Sequence, residues 1–222
     1  MLTYRIHLIR HGMTQGNMEG RYIGRTDIPL CERGRSELRA LKEQFEYPQV
    51  DMVVSSPLQR CTETAQILYP ERYMEGWEAF MECDFGEWEN KSYQQLQNIP
   101  AFAQWLSSGM KQAPPGGESP QQVLARAANG MEKLFERMMK ERLRSVALIT
   151  HGGLISMLLY GMGLPKRPVE QCMVGNGKGY TLLMTPQMWM RDHAFEIYGV
   201  APYGLKERDI NQPLKEGFHA GR

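Results

Sequence analysis

Arg10, His11 and Gly12 come straight after an apolar run in YRIHLIRHG, Arg60 follows a second run in DMVVSSPLQR, and His151 with Gly152 follows a third in SVALITHGG. One arginine or histidine at a strand end is an ordinary surface residue. Three such ends, carrying two guanidinium forks and two imidazoles, call for a different reading. Brought to one spot, these groups repel each other unless a dianion belongs among them. A phosphoryl group fits that description.

The elements that must bring them together are legible in the same stretches. YRIHLIR, DMVVSS and SVALIT read as buried strands, and each leads into a helical pattern. Leu38, Leu41 and Phe45 recur at helical spacing after the first. Pro57 suits a first helical position after the second, and GGLISMLLYGMG after the third is apolar enough to be a packed helix. Strand-then-helix repetition predicts an α/β fold: a three-layer α/β/α sandwich around a mainly parallel sheet. In open sheets of this kind ligands bind beyond the carboxyl ends of the strands, so residues far apart in sequence should meet in one crevice.

GYTLLMT and HAFEIYGV read as two further strands. Residues 71–119, with aromatic-rich FGEWENKSY and the turn-forming stretch Gly109–Glu118, read as an inserted helical cap. Ser119, Pro120 and Gln122 spell a capping box, and Val123, Ala127, Met131, Leu134 and Met138 make an apolar helix face that reads as core. The expected organisation is a single domain over residues 1–200, with 201–222 as a polar tail on the surface or fraying.

At 222 residues and a formal net charge of +1, the chain can bury a sizeable core and carries no global attraction to nucleic acid or acidic membranes. No run reaches the roughly 18 apolar residues of a membrane span, and no signal-peptide pattern opens the chain, so the expected home is the cytoplasm. No pattern specifies an oligomeric state. Cys31, Cys61, Cys83 and Cys172 are scattered with no C-x-x-C pair and read as buried or half-buried free thiols, with Cys61 and Cys83 open to a reactive reading because of their neighbours. Histidine also serves as a metal ligand, and His11, His151 and Glu82 could in principle make a zinc triad. The flanking arginines oppose a dication and no metal-binding spacing occurs, so neither metal nor cofactor is expected.

LIRHGMTQGN, YIGRTDIPLCERG, SSPLQRCTETA, ECDFGEWE, GGES and THGG together, in this order over about residues 4–185, resemble the successive signatures of the histidine phosphatase superfamily, which includes cofactor-dependent phosphoglycerate mutases. ECDFGEWE resembles the branch containing alpha-ribazole phosphatases. The resemblance implies a phosphoglycerate mutase-like fold and a phosphomonoesterase acting on a small phosphorylated metabolite through a phosphohistidine. His11 would be the nucleophile, kept neutral by adjacent guanidinium charge; an imidazole ordinarily titrates at about pH 6.5. Arg10, Arg60 and His151 would hold the phosphoryl oxygens, with Asn17 and the Gly152 amide as further donors, and Glu82 would handle the proton. By position alone Glu87 and Glu89 compete with Glu82. Thr14 and Gly24 would line the entrance, although Thr14 reads equally as a helix cap. Trp88, Tyr93, Phe102 and Trp105 divide between cap core and lid.

Two alternatives use the same residues. A mutase would return the phosphoryl group to substrate, but the mutases carry Glu-Ser after Arg-His-Gly where Met13 and Thr14 stand here. An inactive member would bind a phosphorylated ligand without turnover. Asn90 stands where the small phosphatases usually carry glycine, a departure within the branch.

Overall fold

The computed structural model describes residues 2–213. Its elements run β1 (Tyr4–Arg10), α1 (Gln15–Met18), α2 (Glu32–Gln44), β2 (Met52–Ser55), α3 (Gln59–Leu68), β3 (Met74–Gly76), α4 (Tyr93–Leu96), α5 (Pro100–Ser107), α6 (Pro120–Glu141), β4 (Ser145–Thr150), α7 (Gly152–Met162), β5 (Gly163–Leu164), β6 (Gly179–Met184), α8 (Pro186–Asp192) and β7 (Phe195–Ala201). The strands form one sheet in the order β3-β2-β4-β1-β6-β7-β5. It is parallel across β3, β2, β4 and β1, while β6 runs antiparallel to both β1 and β7.

Alternation along the strands builds two cores. Leu8, Val146 and Leu148 face α6 and α7, where Val123, Ala127, Met131, Leu134 and Leu158 meet them. Ile9, Val53, Ala147 and Ile149 face α2 and α3, packing on Leu38, Leu41 and Ala65. The sheet is thus the middle of three layers, and each large aliphatic it buries contributes about 1.5–3 kcal/mol. The helix face read from Val123 to Met138 is fully buried. Ser119 caps α6 with the reciprocal Gln122 contact. Pro57 lies outside α3, which starts at Gln59 after Leu58.

The stretch between β2 and α6 holds its own aromatic cluster. Trp88, Leu96, Phe102 and Trp105 are buried together, with Tyr22 and Phe85 against them. The rings of Trp88 and Trp105 meet at 5.0 Å. Three of the four cap aromatics are therefore interior, and Tyr93 is the exposed one.

Residues 201–213, read from the sequence as the start of a surface tail, run back against the body of the protein. Ile210 is buried in the larger core, and Lys178 donates through Nζ to the carbonyls of Asp209 (2.8 Å) and Gln212 (2.7 Å). Residues 214–222 of that expected tail lie outside the described residues.

Candidate active site

Register places the site. Arg10 pairs with Thr150 and Ser55 with Ile149, so β1, β4 and β2 end level with one another and the residues just beyond them are neighbours. His11 and His151 consequently stand edge to face with ring centroids 5.2 Å apart. Arg60 reaches the same spot from the first turn of α3, its Nε donating to His151 Nδ1 at 3.3 Å.

His11 is 5% exposed, and its Nδ1 lies 2.6 Å from its own neighbour's carbonyl, Gly12 O. A carbonyl can only accept, so Nδ1 carries the proton and the lone pair of a neutral ring is on Nε2. Burial, then the charges of Arg60 and Arg10, push the His11 pKa well below its ordinary value. The backbone around it is held on all sides. His11 N donates to Thr150 O, Gly12 N donates to Thr64 Oγ1, and Asn176 Nδ2 donates to His11 O at 2.9 Å.

The two arginines are held without a carboxylate partner among the described residues. Arg10 Nη1 donates to Val174 O, and its buried Nε–H has no acceptor. A buried donor left unpaired costs about 1–3 kcal/mol, a penalty that an incoming oxygen would relieve. Arg60, fully buried, donates to Thr26 O (2.9 Å) and Gly24 O (2.7 Å) as well as to His151. Three of its five N–H groups are thereby engaged, leaving one on each terminal nitrogen.

His151 is engaged at both nitrogens: Nδ1 accepts from Arg60 and Nε2 lies 2.9 Å from Ser56 Oγ. Burial, then the Arg60 charge, drive its pKa well down, in keeping with an Nδ1 that accepts from Arg60. Its most direct structural effect is to orient the Arg60 guanidinium. Ser56 was not among the residues read from sequence; nothing in SSPLQR distinguishes its hydroxyl from that of Ser55.

Of the three acidic candidates in ECDFGEWE, geometry separates them. Glu82 is nearly buried, with Oε1 accepting from Cys83 N (3.0 Å) and Oε2 from Gly153 N (3.1 Å) at the start of α7. Glu87 is exposed on the cap. Glu89 is saturated: the amides of Gly24, Arg25, Thr26 and Phe85 and the Thr26 hydroxyl all donate to it. Burial works against its charge, yet those hydrogen bonds, led by the Thr26 hydroxyl, hold its pKa below the usual carboxylate range. Glu89 therefore fixes the loop whose carbonyls hold Arg60.

Both glycines of THGG answer to close approach. A Cβ at Gly152 would lie 3.1 Å from Arg10 Nε, and one at Gly153 would lie 2.8 Å from Glu82 Oε1. Gly152 N is a first-turn amide of α7, one of the donors that a helix leaves unpaired at its start. Gly24 is needed for the same kind of reason, since a Cβ there would meet Cys83 O at 1.8 Å; it bears on the site through its carbonyl, which holds Arg60. Thr14 is the N-cap of α1 and shares a capping box with Asn17. Asn17 Oδ1 serves that cap, and its amide nitrogen is left for another acceptor. Burial pushes the Cys61 and Cys83 thiols up to about 12, so both are protonated at neutral pH. Among the described residues no group of His, Cys, Asp and Glu is arranged to hold a metal ion, and no helix is long and apolar enough to cross a membrane.

Residues 6–193 match the Histidine phosphatase superfamily (branch 1). The chain is 27% identical over 178 residues to the adenosylcobalamin/alpha-ribazole phosphatase of Escherichia coli, covering 78% of this chain and 86% of that protein. It is 30% identical over 188 residues to the glucosyl-3-phosphoglycerate phosphatase of Mycobacterium tuberculosis, covering 81% and 83%. The crystal structure of the alpha-ribazole phosphatase from Shigella flexneri superposes with a TM-score of 0.74 over 88% of this chain and 95% of that one, at 23% identity, a likeness of fold.

Proposed function

The chain belongs to the histidine phosphatase superfamily, branch 1, and is a phosphatase; from that premise we propose that it hydrolyses a small phosphomonoester through a phosphohistidine formed on His11 Nε2. The observation that carries this reading is the His11 Nδ1 contact with Gly12 O, which leaves Nε2 as the free nucleophile beside two guanidinium groups. Nε2 attacks phosphorus in line, the P–O bond to the leaving group breaks, and the departing oxygen takes its proton from Glu82. Water, deprotonated by Glu82, then attacks the phosphohistidine, releasing phosphate and restoring the free ring.

Transfer of this kind is governed by positioning and by charge on the equatorial oxygens. The unpaired Arg10 Nε–H, the two uncommitted N–H groups of Arg60, the Gly152 amide and the Asn17 side-chain amide are the donors suited to those oxygens. His151 acts by holding Arg60 in plane. Each charge-assisted bond is worth about 1.5–3 kcal/mol, so the set supplies part of the acceleration and in-line geometry with leaving-group protonation supplies the rest.

The test is a panel of phosphomonoesters assayed in chelator, with alpha-ribazole phosphate included and 3-phosphoglycerate conversion followed alongside phosphate release. Release of phosphate with an acid-labile label on residue 11 supports the proposal. Isomerisation without release would make the chain a mutase, and binding without either would make it an inactive relative.

A further inference from the structure

The segment that carries Glu82 has no regular secondary structure to hold it. After the turn Glu78–Phe80, Met81 is extended and residues 82–85 belong to no helix or strand. One side chain from α6 supplies the hold. Arg126 Nη1 donates to Ala79 O (3.0 Å) and Met81 O (2.9 Å), and Nη2 donates to Glu82 O (3.3 Å). Its remaining two N–H groups form a fork on Glu118, Nε to Oε1 at 3.0 Å and Nη2 to Oε2 at 2.9 Å. All five donors of the guanidinium are thus used, three of them on backbone carbonyls leading up to and at Glu82. Glu118 extends the grip past Glu82 by accepting from Asp84 N at 3.1 Å. Its charge is favoured by Arg126 against the cost of burial.

We infer that Arg126, with Glu118 as its counter-ion, is a positioning residue for proton transfer at Glu82: it fixes the backbone of residues 79–84 so that the Glu82 carboxyl group is presented to the leaving group. This rests on the reading of Glu82 as the proton donor. The Arg126 fork is planar and five-pronged, and lysine, a point charge with three donors, cannot reproduce it. Displacement of a reacting group by about 1 Å can cost on the order of 100-fold in rate.

The experiment compares kcat/KM, which reads formation of the phosphohistidine, for β-glycerophosphate and p-nitrophenyl phosphate. The first has an alkoxide leaving group that needs a proton, and the second has one that departs without help. The variants are Glu82→Gln, Arg126→Lys, Glu118→Gln and the Glu82→Gln/Arg126→Lys pair, each with its melting temperature and its inhibition by vanadate. The expected result for Arg126→Lys is a loss of about 10- to 100-fold with β-glycerophosphate, less than about threefold with p-nitrophenyl phosphate, and unchanged vanadate inhibition. Glu118→Gln, which keeps shape and most hydrogen bonds, repeats the pattern more weakly and stands in for Arg126→Lys if that variant does not fold. On the Glu82→Gln background Arg126→Lys adds no further leaving-group-dependent loss. Equal losses on both substrates for Arg126→Lys or Glu118→Gln, with Glu82→Gln still selective, overturn the inference alone. Equal losses for Glu82→Gln overturn the proton-donor reading and the inference with it.

Discussion

The Nδ1 of His11 and the carbonyl oxygen of Gly12 are 2.6 Å apart, and this contact between adjacent residues decides which ring nitrogen can react. Phosphate trapped on the enzyme is therefore expected on Nε2, and 31P NMR of the denatured, alkali-stable phosphoenzyme distinguishes the two isomers. A label on Nδ1 would contradict the tautomer.

The same ring is expected to remain uncharged well into acid. Burial and the Arg60 and Arg10 charges lower its pKa, so the neutral, reactive form persists as pH falls below 6.5. Titrating the His11 Cε1–H NMR signal should show no protonation step near pH 6.5 in the free enzyme. A midpoint there would mean the guanidinium charges do not act on the ring.

Arg60→Lys keeps a positive charge but loses the fork that holds Thr26 O, Gly24 O and His151 together. Loss of one charge-assisted bond to the phosphoryl group, about 1.5–3 kcal/mol, corresponds to roughly 10- to 150-fold in kcat/KM. Vanadate affinity should fall in step, which a steady-state inhibition series measures.

Gly153→Ala separates stability from activity. Alanine near the start of α7 favours the helix by up to about 1 kcal/mol over glycine. The new methyl would stand 2.8 Å from Glu82 Oε1, the movable end of a side chain, and would push the carboxylate aside. The melting temperature should hold or rise while turnover of alkyl phosphates falls by on the order of 100-fold. Unchanged turnover would show that Glu82 can act from a displaced position.

His7, fully buried, has Nδ1 2.9 Å from Thr181 Oγ1 and Nε2 3.1 Å from Ser145 Oγ, with Tyr203 edge-on. Burial, and then Arg5, lowers its pKa from 6.5 to about 4. Between those values the unfolded chain binds more protons than the folded one, so stability rises with pH across the window and is lost as pH falls from 6.5 towards 4. The full contribution is about 3 kcal/mol at roughly 1.4 kcal/mol per pH unit. Replacing His7 with glutamine should flatten that part of the curve, checked by denaturant unfolding at pH 7 and pH 4.5. An unaltered slope would assign it to other groups.

Much of this architecture is legible in the sequence. The long strands carry continuous apolar runs, and the residues beyond β1, β2 and β4 meet as strand-end logic requires. β3 and β5, at three and two residues, are too short to carry a periodicity. The reversed direction of β6 leaves no mark on composition. Position alone left Glu82, Glu87 and Glu89 level, and only the resemblance favoured Glu82; that Glu89 is occupied by five donors from two loops is a tertiary fact the sequence does not carry. Ser56, Asn176 and Arg126 escaped notice for the same reason: each acts through contacts that span the fold. The Asn90 departure has a simple explanation in its φ of 59°, a left-handed conformation that asparagine tolerates better than most residues.

The aromatic cluster of Trp88, Phe102 and Trp105 is a core of its own that meets the larger sheet core through Phe85, and Glu89, with Tyr22, ties it to the loop that grips Arg60. A protein divided in this way can diversify in two tempos. Outward positions of the cap, such as Tyr93 and Met110, are free to be exchanged in search of new organic partners. The inherited machinery for handling phosphorus need not be reinvented each time, provided the hinge-pin carboxylate is kept.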